Sequence, residues 1–87
     1  MRIFKHGHAC VRLETGAHHV VIDPGMFTAR EAVDGATVVL ITHEQPDHWT
    51  PGLLRATHAP VCTIDAVARQ IRELAPDVPE RAGVARA

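Results

Sequence analysis

Between Arg2 and Lys5, and again from Ala9 to Glu14, apolar and polar residues alternate, the period at which successive side chains of an extended strand face opposite ways. His6-Gly7 separates the two runs as turn material, so the pattern predicts an antiparallel hairpin. A third strand, His18 to Ile22, follows the Thr15-Gly16 turn. Asp23-Pro24-Gly25 ends it, because proline has no N–H for a ladder and glycine accepts positive φ. The loop beyond carries a short helical turn over Thr28 to Val33.

After Asp34-Gly35 the pattern changes. Ala36 to Ile41 is apolar at almost every position, which predicts a fourth strand covered on both faces. Thr50-Pro51 is an N-cap followed by proline at the first helical position, opening a short helix through Leu53, Leu54 and Arg55. Pro60 to Ile64 is a fifth strand, reached by a crossover too long for a hairpin and therefore parallel to the fourth. Asp65 can cap a last helix, in which Val67, Ile71 and Leu74 form one apolar stripe at i, i+4 and i+7. Pro76 ends that helix. Residues 77–87 read as a linker in which Val84 begins a strand with no room to develop. Antiparallel strands followed by β-loop-α-β-α predict an α/β fold, a layered mixed β-sheet with packed helices.

Composition narrows this picture. At 87 residues and 46% hydrophobic content the chain is one small domain, and with 3% aromatic residues (Phe4, Phe27 and Trp49) its core must be aliphatic. Domains of this size are marginal, so a metal or a partner chain would add needed stability. A formal charge of -1 and scattered arginines give no footprint for nucleic acid. No apolar run approaches the ~20 residues of a membrane span. The N-terminus leads straight into polar residues without a signal-peptide pattern, so a cytoplasmic location is expected. Cys10 and Cys62 are not closely spaced and read as buried free thiols. Histidine is the unusual component, with seven in the chain. His6, His18, His19 and His58 read as well as surface residues as anything else, and His18 and His19, adjacent in a strand, must face opposite ways.

The densest chemistry lies in Thr42-His43-Glu44-Gln45-Pro46-Asp47-His48, directly behind the fourth strand. His43, Gln45, Asp47 and His48 stand at i, i+2, i+4 and i+5. Two imidazoles and a carboxylate suit a borderline metal such as zinc, whereas a neutral Gln45 amide is a weak ligand. On residue types alone, an Asp-His pair before a helix is more often a cap with a hydrogen-bonded imidazole than a metal site.

The run resembles the Thr-His-x-His-x-Asp-His hallmark of the metallo-β-lactamase superfamily, with Gln45 at one histidine position. Gly7-His8-Ala9-Cys10-Val11-Arg12-Leu13 and Val20-Val21-Ile22-Asp23-Pro24-Gly25 are similar to the opening strands of its small hydrolases, nearest the ascorbate-6-phosphate lactonase-like branch. The resemblance spans nearly all of residues 1–87 but only the first αβ half of the family's αβ/βα sandwich, implying a single, partial domain. It makes His43 a ligand of a first metal, with Gln45 at that metal's second histidine position. Asp47 and His48 become ligands of a second metal. Asp47 is also the catalytic residue that orients water, while Asp23 and His8 stand behind the site, Asp23 orienting a ligand through hydrogen bonds. The implied cofactor is zinc, one or two ions, or manganese. The implied activity is hydrolysis, with metal-activated water attacking an ester, lactone, amide or phosphoester of a small-molecule substrate. The missing half would come from a complementing C-terminal half or from a second copy in a homodimer. The alternative is a degenerate, non-catalytic domain that acts in binding or assembly.

Overall fold

A computed structural model describes residues 1–7, 9–26, 28–45 and 48–78 and the strand at 82–84, the last without its side chains. The alternating runs form the expected hairpin, β1 (Arg2–His6) and β2 (Cys10–Thr15), and β3 (His18–Ile22) pairs antiparallel with β2. Gly7 and Gly16 take φ of 71° and 57°, the left-handed conformation that tight turns require and that glycine adopts without strain. A short 3-10 turn, Arg30–Val33, then leads to β4 (Val38–Ile41), parallel to β3. Helix α1 (Pro51–Arg55) connects to β5 (Val61–Thr63), parallel to β4 as expected. Helix α2 (Asp65–Leu74) connects to β6 (Ala82–Val84), parallel to β5. The sheet is six-stranded and mixed, in the order β1-β2-β3-β4-β5-β6.

The strands follow one another in a single direction across the sheet. Crossovers between parallel strands share one hand, so a sheet that steps one way receives its connections on one face. The core agrees: Cys10, Val21, Val39, Ile41 and Val61 of that face pack with Val33, Trp49, Leu53, Leu54, Val67 and Ile71 of the connecting segments. The opposite face carries two cross-strand rows, Val11–Ile22–Leu40–Cys62 and Leu13–Val20–Val38. All seven residues are half-buried, and none belongs to the core cluster.

Several expectations are corrected. The fourth strand is not covered on both sides by the described residues: Val39 and Ile41 are buried, while Val38 and Leu40 stay half-exposed, because the connections all fall on one side. Asp65 is the first residue of α2, not its cap. Ile64 holds the cap position without a side-chain hydrogen bond, and Asp65 contributes as an acidic residue in the first turn, where the helix dipole favours it. The buried stripe of α2 is Val67, Ala68 and Ile71, whereas Leu74 is 62% exposed. The tail is more than a linker. Val78 is buried, and Ala82–Val84 completes a strand against β5. Cys62 is half-buried instead of buried, since it lies on the open face, and both cysteines are free thiols. At α1 the expectation holds, with Thr50 Oγ1 accepting from Leu53 N and Pro51 in the first turn.

Candidate metal centre

Parallel strands β3 and β4 end side by side, and the loops that leave them meet at one sheet edge. Asp23 N donates to Leu40 O at 2.8 Å, which ties the first residue beyond β3 to β4. Asp23 has φ 53°, a conformation that costs most L residues about 1 kcal/mol or more and that aspartate tolerates better than most. Its side chain is 8% exposed and aims at the start of the ligand-rich run. Oδ1 accepts from Thr42 N at 2.7 Å, and Oδ2 accepts from Thr42 Oγ1 at 2.6 Å.

Those bonds set the state of the next residue. Thr42 has one hydroxyl proton, and the 2.6 Å contact commits it to the carboxylate. Thr42 Oγ1 must then accept from His43 Nδ1, 2.7 Å away, so the proton of a neutral His43 sits on Nδ1 and the lone pair on Nε2. On the other flank, His48 Nδ1 lies 3.0 Å from Asp23 Oδ2. A carboxylate beside Nδ1 favours a proton on that nitrogen. The two imidazoles stand 4.5 Å apart between ring centroids, tilted by 46°. One ligand atom from each of Asp23, His43 and His48 falls within 4.8 Å of the others, close enough for a single ion to touch all three. This donor set, two imidazoles and a carboxylate, fits a borderline divalent metal.

His48 is placed by a local turn, its N–H donating to Gln45 O at 2.9 Å. The same turn leaves the Gln45 side chain exposed. Glu44, next to it, accepts from Gln70 Nε2 of α2 at 3.1 Å, which pins the loop to the helix layer. A hollow of about 350 Å³ opens between them, lined by Glu44, Trp49, Thr50, Pro51, Gln70 and Leu74.

The structure therefore joins His43 and His48, expected as ligands, with Asp23, expected to orient a ligand. Asp47 and His8 lie outside the described residues. Thr42 carries a role that residue-by-residue reasoning did not assign, although its place in the motif was the available signal. A second polar cluster also went unread. Arg12, 8% exposed, donates from Nε to Glu14 Oε2 at 2.8 Å and from Nη1 to Ala32 O at 2.9 Å, while Nη2 lies 2.7 Å from His19 Nδ1. Arg12 beside it lowers the Glu14 pKa below the usual carboxylate value, through its hydrogen bond first. The signal was present in the parity of β2: if Cys10 faces the core, Arg12 and Glu14 must face the same way.

Curated relatives match part of the chain. A UPF0173 metal-dependent hydrolase of Methylobacterium nodulans is 45% identical over 58 residues, covering 55% of this chain and 25% of that protein. The UPF0173 metal-dependent hydrolase YtkL of Bacillus subtilis is 35% identical over 54 residues, 55% of this chain and 23% of its own length. A UPF0173 protein of Pyrococcus abyssi is 33% identical over 63 residues, 70% of this chain and 30% of its own. The chain thus spans between 23% and 30% of the length of these relatives. No helix among the described residues is long and apolar enough to cross a membrane. The family model of the beta-lactamase superfamily domain matches residues 2–82, nearly the whole chain and all of the strand-end geometry above, and the chain belongs to that superfamily.

Proposed function

We propose that this chain is the metal-holding N-terminal portion of a metal-dependent hydrolase acting on an ester, lactone, amide or phosphoester of a small molecule, with the rest of the site supplied by a second half. The observation that carries the reading is the gathering of one ligand atom each from Asp23, His43 and His48 within 4.8 Å, held by the relay from His43 Nδ1 to Thr42 Oγ1 to Asp23 and by the Asp23–His48 contact. A structural cap would need no such tautomer control. His43 and His48 bind the ion, Asp23 orients them, and by the motif Asp47 adds a ligand and positions the attacking water. Zinc suits this donor set best, with manganese as the other candidate. A divalent ion bound there supplies Lewis acidity and lets water ionise near neutral pH. The relatives' shared description as metal-dependent hydrolases supports the reading, and the opening strands' resemblance to the lactonase-like branch favours a carbonyl substrate.

Zinc and manganese titrations followed by calorimetry test the proposal. Binding by the chain should be lost in His43→Ala and His48→Ala and kept in His18→Ala, whose imidazole is exposed on the far side of β3. Equal affinity in all four proteins would sink the reading. Hydrolysis of lactone or ester substrates by the monomeric chain alone would overturn its dependence on a second half.

The exposed, neutral Gln45 favours a second reading, a degenerate domain retained for binding or assembly. Gln45→His discriminates between them. A site spoiled at one ligand regains zinc affinity by about an order of magnitude or more, whereas a degenerate scaffold gains nothing.

A further inference from the structure

Thr63 is the last residue of β5 and is 1% exposed, on the same side of the strand as buried Val61 two residues earlier. A hydroxyl in an aliphatic core costs stability unless it is hydrogen-bonded, and valine has the same shape without that demand. Thr63 Oγ1 meets the demand by donating to the Ile41 carbonyl at 3.0 Å. Ile41 stands opposite Thr63 in the parallel pairing of β4 with β5 and is the last residue before the ligand-rich run. Its carbonyl belongs to the peptide unit whose other end, Thr42 N, donates to Asp23 Oδ1 at 2.7 Å. One peptide unit is thus held by side chains at both ends, through its oxygen from β5 and through its nitrogen from the end of β3. The bonding of β4 prepares these directions: Val39 N donates to Pro60 O, toward β5, and Leu40 O accepts from Asp23 N, toward β3. A peptide unit is planar, so its remaining freedom is rotation about the line joining its two Cα atoms, and that rotation would break both bonds together.

We propose that Thr63 is a positioning residue of the metal centre: by holding the Ile41 carbonyl it locks the Ile41–Thr42 peptide plane and so aims Thr42 Oγ1 at Asp23 and His43. The proposal rests on the metal reading above and extends it to β5, a strand that gives none of the gathered ligand atoms. Every step is a short contact: Thr63 Oγ1 to Ile41 O, Thr42 N and Oγ1 to the Asp23 carboxylate, and Thr42 Oγ1 to His43 Nδ1. Asp23 holds the same plane from the opposite strand, but it also touches His48 and is one of the gathered groups. Thr63 Oγ1 bonds to backbone and not to Asp23, His43 or His48, so removing it changes no ligand atom. An effect of Thr63 on metal binding therefore has to travel through the peptide plane.

Thr63→Val, Thr63→Ser and, as a control for lost packing, Val61→Ala test this in the full 87-residue chain. In chelator, amide hydrogen exchange of Thr42 is read by NMR as a ratio to that of Val39 in the same strand, which cancels changes in global stability. Thr63→Val should raise that ratio about tenfold, as one hydrogen bond ceases to oppose local opening. Zinc affinity by calorimetry should fall about fivefold, less than for a residue bonded directly to a ligand. Thr63→Ser keeps the hydroxyl and should restore both readings, whereas Val61→Ala should leave both at the wild-type value although it opens a cavity. If the valine variant does not fold, Thr63→Ala takes its place with the same expected readings. An unchanged exchange ratio without the hydroxyl overturns the proposal, as does an affinity loss that serine fails to rescue or that Val61→Ala reproduces. A wild-type chain that takes up no zinc sinks the metal reading instead, and the ratio in chelator still decides whether Thr63 holds the peptide.

Discussion

Two polar clusters are set into the same sheet and use the same vocabulary, yet one is closed and the other open. At β2, Arg12 bonds Glu14 and the Ala32 carbonyl and lies against His19, so a buried cation is met from three sides by partners within the fold. At the ends of β3 and β4, Asp23 is met by Thr42 and His48, neither of which carries a fixed charge, and His43 stands exposed beside them. A cluster built around a fixed cation stabilises, and one that gathers a carboxylate and imidazoles without such a cation can take one. A histidine beside a carboxylate is therefore uninformative until the rest of its cluster is known. His19 is 3.5 Å from Glu14 and His48 is 3.0 Å from Asp23, yet His19 Nδ1 faces a guanidinium.

Asp23→Ala should break the open cluster hardest. It removes both acceptors from Thr42 and leaves alanine at φ 53°, so stability falls by about 3 kcal/mol in denaturant unfolding. An unchanged midpoint would mean that the carboxylate does not organise the strand ends. Arg12→Ala is the matching cut in the closed cluster: with the Ala32 carbonyl left without its donor and a void at β2, about 2 kcal/mol is expected. Metal affinity should not move in this variant. If it falls as far as in Asp23→Ala, the two clusters are not independent.

Thr42→Val sharpens the contrast with a smaller change. The loss of one hydroxyl should lower stability by about 1 kcal/mol but metal affinity by about 10-fold or more, because His43 loses the acceptor that holds its tautomer. Equal affinity in the variant and the wild type would remove Thr42 from the relay. The smallest effect is the pH response of the closed cluster. Glu14 has its folded pKa lowered below the ordinary carboxylate value of 4.5, chiefly by the Arg12 hydrogen bond, so its contribution is complete above pH 4.5 and fades as pH falls through the lower folded value. Glu14→Gln should flatten the stability profile in that acidic window and leave neutral pH behaviour nearly unchanged. A flattening confined to pH above 4.5 would contradict the assignment.

Much of this was legible in the residue order. The period-two runs of β1 and β2, the Thr50-Pro51 helix start and the apolar β4 are local signals, and each element formed where its signal stood. The tail was misread because three-residue β6 has no pattern of its own and exists only by pairing with β5. Leu74 was assigned to the buried stripe since helical periodicity places residues on a face without saying where the neighbouring layer stops. Gln45 was visible as a departure from the motif, but its exposure was not.

The sequence by itself determined the kind of elements, their order and the chemistry brought to the end of the fourth strand, because backbone propensity, side-chain parity and donor type are properties of short segments. Only the tertiary structure decided that Asp23, 19 residues before Thr42, becomes the anchor of the site, that Arg12 closes its own network, and that the core gathers on one sheet face. Those outcomes depend on which strands become neighbours and on which side the connections cross, and no short segment carries that information.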